Sequence, residues 1–347
     1  MSHDEELISE LSDLSPAEPQ GFKPEEMVTC DACLRANPPT RTNCLYCLVV
    51  LPAPGGAIDL RQPALRPLEQ WERGFNTVLA KPGESEFDEK TLSEIATLLR
   101  QETVVIRQIF ECGQAMPLSR AASLEEAFLI ENRLRALNVE TIIVSDADLE
   151  VEKAPPKRIR ALDLDDTSIQ GREPMAGATL KIASSDILLL VTGRLLVTSI
   201  EVEENKFRSG EPELIESREL SDDEPVVDIF TAQKDGGWRI AARSFDFSCL
   251  GERKTLMSGE NFGLLLEQLR ERAPNASFDY SYPSLRKLLN AVWPLVQQTE
   301  GRGWRRARPG KYNVAAVTTV NNETQFTRYA RLLQYLKLQD QGQCLDL

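Results

Sequence analysis

The sequence predicts an α+β chain of several domains, on three observations. Its 347 residues exceed the length of about 250–300 residues at which one hydrophobic core stops growing. The spacing of apolar residues changes along the chain, from helical beyond Leu92 to alternating and strand-like beyond Ile159. Four of the seven cysteines fall into two Cys-x-x-Cys pairs near the N-terminus. With 41% hydrophobic and 27% charged residues, most of the chain has enough apolar surface to offset the entropy of ordering it.

Residues 1–26 are rich in Glu, Asp, Ser and Pro and read as a disordered acidic tail. Residues 27–52 hold the paired cysteines, and 53–66, with clustered Pro and Gly, read as a linker. In residues 67–150, Leu92, Ile95, Ala96 and Leu99 mark one helix, and Val104, Val105, Ile109 and Phe110 a second. A β-α-β unit follows: a strand over Met116 to Arg120, a helix over Leu124 to Leu137, and a buried strand over Val139 to Val144. Ser123 with Glu126 forms a capping box that sets the helix start.

Residues 151–158 read as a second linker. Residues 159–275 are strand-rich, with alternation over Ala161 to Ile169 and apolar runs at Ile187 to Leu190, Leu195 to Ile200, Val226 to Phe230, Trp238 to Ala242 and Phe245 to Phe247. About six strands near the usual five or six residues long are expected, with hairpin turns at Gly193 and at Asp235-Gly236-Gly237. Glu260 to Arg272 reads as a helix stopped by Pro274. Residues 276–347 read as a C-terminal helical extension: a helix over Tyr282 to Trp293, one strand over Tyr312 to Val320, and a helix over Glu323 to Leu338 with Asn322 as N-cap.

The segment CDACLRANPPTRTNCLYC places its two Cys-x-x-Cys turns ten residues apart. Each turn aims two thiolates at one point, and two turns complete a tetrahedron of sulfurs about 2.3 Å from a metal. Cys30, Cys33, Cys44 and Cys47 are therefore expected to bind a structural Zn²⁺, since four sulfur ligands leave no open position for water. An iron–sulfur cluster uses the same four thiolates and stays an alternative, as do unconnected core cysteines.

With Asn37-Pro38 between the pairs, this segment resembles the short zinc ribbons at the ends of bacterial multidomain proteins, which share the spacing Cys-x2-Cys-x3-Asn-Pro-x5-Cys-x2-Cys. It departs from them at Leu34 and Leu48, where ribbons place glycine in the turns. Its spacing is also similar to Ran-binding-protein-type fingers. However, Pro38 replaces the tryptophan that stacks on RNA, and Leu34-Arg35 replaces the Thr-Phe of ubiquitin-binding versions, so neither ligand carries over. The run PLSRAASLEEAFLIENRLRALNVETIIVSD resembles small α/β modules of bacterial signal-transducer proteins and, more distantly, the C-terminal domain of ribosomal stalk proteins. SSDILLLVTGRLLV, with GGWRIAARSFDFSCL and the helix after it, resembles a pleckstrin-homology-like barrel, which implies an antiparallel barrel capped by one helix. Function varies too widely among such barrels to follow from the fold.

The balance of 54 acidic against 40 basic residues, net −14, repels polyphosphates and anionic membranes at long range. The first residues lack a signal peptide's apolar core, no apolar run reaches about 18 residues, and a cytoplasmic location is expected. His3 is the only histidine, and the glycine-rich phosphate loops and the nucleophile elbow are missing, so common enzyme chemistries lack support. Asp163, Asp165 and Asp166, and Asp222, Asp223 and Glu224, offer carboxylates for a divalent ion or for acid–base work, against a reading as solvated turns. GRGWRRARPGKY is strongly basic: Arg302, Arg305, Arg306, Arg308 and Lys311 surround Trp304 as in loops that clamp phosphates and stack bases, or as in a solvated loop that balances charge. The sequence thus leads to a non-catalytic zinc-binding adaptor or regulatory protein with a protein partner. The alternatives are a nucleic-acid-associated factor using the ribbon and the Arg302–Lys311 loop, and an enzyme with carboxylate chemistry in the β domain.

Overall fold

The structure, a computed structural model, describes residues 22, 24, 27–41, 44–47, 49, 51–52, 63–69, 71–80, 87–150, 155–174, 179–207, 213–233, 237–308 and 311–345, without side chains at 203–216, 302–315 and 342–345. The expected acidic tail with His3, most of the first linker, residues 151–154, Leu48 and the Asp235-Gly236 half of one turn lie outside the described residues. The chain divides into two compact units, Met1–Ala64 and Leu65–Leu347.

In the first unit, β1 (Val28–Thr29) and β2 (Ala36–Asn37) form a short antiparallel pair. Its core consists of Val28, Cys30, Cys44 and Leu51.

The second unit opens with β3 (Phe75–Leu79), α1 (Glu89–Leu99), α2 (Thr103–Glu111), β4 (Met116–Ala121), α3 (Leu124–Ala136) and β5 (Ile142–Ser145). Leu92, Ile95, Ala96 and Leu99 form the buried face of α1 as their spacing requires, and Arg100 ends the helix in a left-handed conformation at φ +54°. Strand β3 lies between β4 and β5 and is antiparallel to both, so the expected β-α-β unit is split by a strand that comes from earlier in the chain. Ser123 caps α3 by accepting the Glu126 N–H at 3.2 Å. The buried Glu126 carboxylate does not close the box on Ser123, and instead accepts the N–H of Leu65 at 2.7 Å and of Ala122 at 3.3 Å.

Beyond it come β6 (Lys157–Arg158), β7 (Ala161–Leu164), β8 (Ser168–Arg172), β9 (Thr179–Ala183), β10 (Ile187–Phe207), β11 (Glu213–Thr231) and β12 (Trp238–Ala241). The chain continues through α4 (Ser258–Arg272), β13 (Ser277–Asp279), α5 (Tyr282–Leu289), β14 (Val296–Arg308), β15 (Lys311–Asn321) and α6 (Glu323–Leu345). Strands β7, β8 and β9 make a three-stranded antiparallel sheet. The large sheet runs β14-β15-β10-β11-β12-β6, with β13 parallel to β10 beside Leu189–Val191.

Several expectations change here. Gly193 is not a turn. It lies inside β10, a single strand of 21 residues, opposite Val226. The Phe326 ring approaches it so closely that a Cβ would meet a ring carbon at 2.5 Å, so the glycine serves packing rather than chain reversal. Six described strands, β7 to β12, do fall in residues 159–275, but Ile187–Leu190 and Leu195–Ile200 belong to one strand, and β10 and β11 are 21 and 19 residues long. Phe245–Phe247 is not a strand but leads into a short 3-10 helix over Phe247–Arg253. The strand expected over Tyr312 to Val320 is present as β15, and the segment expected to be otherwise helical also adds β13 and β14 to the large sheet. Part of the expected second linker is β6, paired in parallel with β12.

The continuous apolar runs of β10 and β11 have a clear cause, because both faces of the sheet are buried there. Leu189, Val191, Val226 and Phe230 join one core with Ile95, Ile130, Trp293 and Phe326. Leu190, Val227 and Ile229 join a second core with Ile240, Phe262, Leu265 and Leu269. One sheet is thus the common wall of two cores. Asn322 repairs a gap in the ladder between β13 and β15: its side chain accepts the Leu196 N–H at 2.7 Å and donates to the Arg194 carbonyl at 2.9 Å. Asn322 stands at the start of α6, where its carbonyl accepts the Phe326 N–H at 2.9 Å, while its side chain serves the strand.

Candidate metal centre

Two tight turns bring the cysteines together. The Leu34 N–H returns to the Cys30 carbonyl at 2.8 Å, and the Cys30 N–H to the Arg35 carbonyl at 3.0 Å. Leu34 takes the left-handed conformation, φ +56°, at the position where ribbons of this spacing carry glycine. The second turn is closed by the Cys44 N–H on the Val49 carbonyl at 2.8 Å.

The result is four sulfurs facing one another. Cys30 and Cys47 are 3.5 Å apart, Cys33 and Cys44 are 3.5 Å apart, and all four sulfurs lie within 4.8 Å of one another. Sulfurs set about 2.3 Å from a central ion in a tetrahedron stand about 3.8 Å apart, so the group fits a metal ion bound by four thiolates. Cys30 and Cys44 are buried, and Cys33 is partly so.

Asn37 organises this centre. Fully buried, it accepts the Leu45 N–H on Oδ1 at 2.8 Å, and its Nδ2 donates to the Arg35 carbonyl at 2.8 Å and toward Cys44 Sγ at 3.5 Å. One side chain therefore holds both turns and places a donor on a sulfur. The Tyr46 N–H adds a second donor to Cys44 Sγ at 3.4 Å. Outside, the Arg35 guanidinium lies 4.5 Å over the Tyr46 ring and bridges the turns again.

The thiols do not ionise alike. Burial disfavours the Cys44 thiolate, but the N–H groups of Cys47 and Tyr46 outweigh it and hold its pKa at about 6. For Cys47 the Val49 N–H favours the thiolate, yet burial and the three neighbouring thiols outweigh it and push the value up to about 12. A second and third negative charge in this small volume needs a cation at its centre.

The other sequence candidates are dispersed. Arg302, Trp304, Arg305, Arg306 and Arg308 lie on β14 and Lys311 starts β15, so the expected basic loop is largely strand, and its side chains lie outside the described ones. Asp163 pairs with Arg172 at 3.6 Å, and Asp165 accepts from Ser168 at 3.3 Å and Gln170 at 3.0 Å. Asp222 pairs with Arg243, Asp223 with Arg194 at 2.8 Å, and Glu224 accepts the Arg243 N–H at 2.6 Å. These carboxylates are held by the chain's own cations and donors.

Two buried ionic groups had no signal in the sequence. Arg239 and Asp228, both fully buried, make a two-pronged pair at 2.7 and 2.6 Å, and Arg239 extends to Glu323 at 3.1 Å and Thr327 at 2.9 Å. Burial alone would lower the Arg239 guanidinium, but Asp228 and Glu323 hold it above its ordinary value. Asp146 accepts from Arg120 at 2.6 Å, the Gly74 N–H at 2.9 Å and Asn76 at 3.0 Å. Asp228 and Arg239 stand at facing register positions on β11 and β12.

No protein-family description, curated protein or solved structure matches the chain. Among the described residues no helix is long and apolar enough to cross a membrane.

Proposed function

We propose that the chain is a zinc-containing, non-catalytic adaptor or regulatory protein: a ribbon of residues 27–52 folded around Zn²⁺, and a larger α+β unit that presents surfaces to a protein partner. The observation that carries this reading is the closed geometry of Cys30, Cys33, Cys44 and Cys47, each with its sulfur directed at the others. Zinc suits such a set, because it takes four thiolates in a tetrahedron and does no redox chemistry. The metal then acts by folding the ribbon, a role worth about 10–16 kcal/mol apparent in isolated fingers. The engagement of the acidic clusters by Arg172, Arg194 and Arg243 supports a structural role for those carboxylates. For residues 159–275 we favour a pleckstrin-homology-like arrangement, supported by a core that runs from Ile159 to Ala273 and is closed by α4.

Elemental content of protein purified without added metal tests the centre, with one zinc per chain expected. Cys30→Ser or Cys47→Ser should remove it and unfold the ribbon while Leu65–Leu347 keeps its melting transition. Absence of zinc, or collapse of the larger unit on chelation, refutes the proposal, and iron with visible charge-transfer absorption identifies a cluster instead. Affinity capture with mass spectrometry tests the partner. Turnover on a hydrolase or transferase panel, or tight, salt-resistant, sequence-dependent RNA or DNA binding, would displace the adaptor reading.

A further inference from the structure

The large sheet extends far beyond the cores as a four-stranded antiparallel arm. Within it β14 pairs with β15, β15 with β10, and β10 with β11 over residues 197–205 of β10. Among the described residues no strand pairs with the outer side of β14, and β12 pairs with β11 only at Val226–Ile229, which leaves the stretch before Pro225 as a second edge. Among the described strands none lies on the outer side of either edge, and an outer edge of this kind presents backbone groups to which a further strand can be added.

The two edges differ in charge. β14 brings Arg302, Arg305, Arg306 and Arg308, and its register neighbours on β15 are Asn313, Tyr312 and Lys311, none of them acidic. The outer half of β11 brings Glu213, Glu216 and Glu219, and its register on β10 sets Glu216 opposite Glu203. Like charges facing each other across a ladder destabilise it. Arg308 and Lys311 share a register position on one edge, and Glu216 and Glu203 share one on the other. Arg218 of β11, in register with Glu201, and Glu300 of β14, in register with Val317, go against this sign, so each edge is net basic or net acidic rather than uniform.

We infer that the arm associates with a second copy of this chain, the basic edge β14 of one copy lying against the acidic edge of β11 in the next. The strand directions allow it. β14 runs parallel to β10 and antiparallel to β11, so shifting a copy sideways along the sheet sets β14 against β11 as an antiparallel pair. Pairing β14 with β14, or β11 with β11, sets like charges together, so a two-fold dimer through either edge is disfavoured. The contact is head-to-tail and does not close on itself. Register shifts at Gly301/Trp304 and Arg306/Arg308 roughen the basic edge and, with its charge, discourage indiscriminate pairing.

Sedimentation velocity on the full, nuclease-treated chain tests this. At low salt the weight-average mass should rise with concentration from the single-chain 38.9 kDa past twice that value. At about 1 M salt, where the screening length is about 3 Å, it should return to a single chain. Replacing Arg302, Arg305, Arg306 and Arg308 by Glu makes both edges acidic, and replacing Glu213, Glu216 and Glu219 by Lys makes both edges basic. Each variant alone should stay monomeric, and mixing the two in equal amounts should restore association, a gain that misfolding does not produce. A wild-type chain that stays monomeric, an assembly indifferent to either replacement, a closed two-fold dimer, or a mixture that fails to associate overturns the inference. So does association that depends on added single-stranded nucleic acid.

Discussion

Trp293 donates its indole N–H to the side-chain oxygen of Asn76 at 2.9 Å, and both residues are fully buried although 217 positions separate them. The Asn76 amide nitrogen donates in turn to the Val144 carbonyl at 3.1 Å and to Asp146 at 3.0 Å. One side chain thus ties β3 to β5 and both to the segment that leads into β14. Removing it by Asn76→Ala leaves the indole N–H and the Val144 carbonyl without this partner, at about 1–3 kcal/mol for each group left bare. Urea unfolding followed by tryptophan fluorescence should show the loss, and a change below about 0.5 kcal/mol would place it within ordinary surface substitutions.

The Asp228–Arg239 pair should respond differently to single and double replacement. Asp228→Ala leaves a buried guanidinium with only Glu323 and Thr327, and a broken buried pair costs about 3–5 kcal/mol. Replacing Asp228 by Leu and Arg239 by Met together removes both charges and should recover most of that loss. Chemical denaturation of the two variants beside the wild type checks this, and a double replacement as damaging as the single one would show that the pair is needed for itself.

Asn37→Ala should weaken metal retention without removing a ligand. Partners that orient ligands are typically worth about 10–100-fold in metal affinity. Competition against a chromogenic chelator gives the ratio, and an unchanged affinity would reduce Asn37 to a turn residue.

Gly193→Ala forces a methyl group into the Phe326 ring, whose nearest carbon lies 2.5 Å from the new atom. Overpacking of this kind costs about 1–3 kcal/mol. The loss should shrink when Phe326→Leu makes room, a coupling that a thermal-melt double-mutant cycle measures. Additive losses would place the strain elsewhere.

Acid should weaken one surface link in a defined window. The Arg66 guanidinium, 2.5 Å from Glu72, holds that carboxyl well below its usual range, at about 2. A carboxylate depressed in the folded state adds stability above its unfolded pKa of about 4.3, and that stability fades as the pH falls toward the folded value. Glu72→Gln should therefore melt below the wild type at neutral pH, with the gap narrowing in acid. A constant gap would mean that charge is not what the link supplies.

What could be read from the sequence was what local chemistry dictates. Cys-x-x-Cys spacing located the four-cysteine cluster, and helical spacing, with the Ser123 cap for α3, located α1 and α3, because both depend on neighbours a few residues away. Strand β3 escaped notice because Phe75-Asn76-Thr77-Val78-Leu79 is too short to show a period and has a polar pair at its centre. Asn76 is polar because it serves Trp293 and Asp146, contacts that no local pattern encodes. The outer halves of β10 and β11 were hidden because Glu201, Glu203, Glu204 and Lys206 interrupt the apolar run where the strand leaves the cores. Gly193 was misread because a glycine that admits a ring and a glycine that turns a chain look the same in one dimension.

The common wall formed by β10 and β11 also constrains how the protein can be made. Its one face waits for Trp293, Phe326 and Leu332, so the core that begins with Val78 stays open until more than two hundred further residues have left the ribosome. During that interval Leu189, Val191 and Phe230 face water on a growing chain, a natural target for chaperones that bind exposed apolar strands. The opposite face finds its buried partners by Ala273, with Ala276 and Phe278 following closely, and can close earlier. Synthesis therefore imposes an order, with the inner β domain first and the N-terminal α/β segment locked last by the arrival of α6.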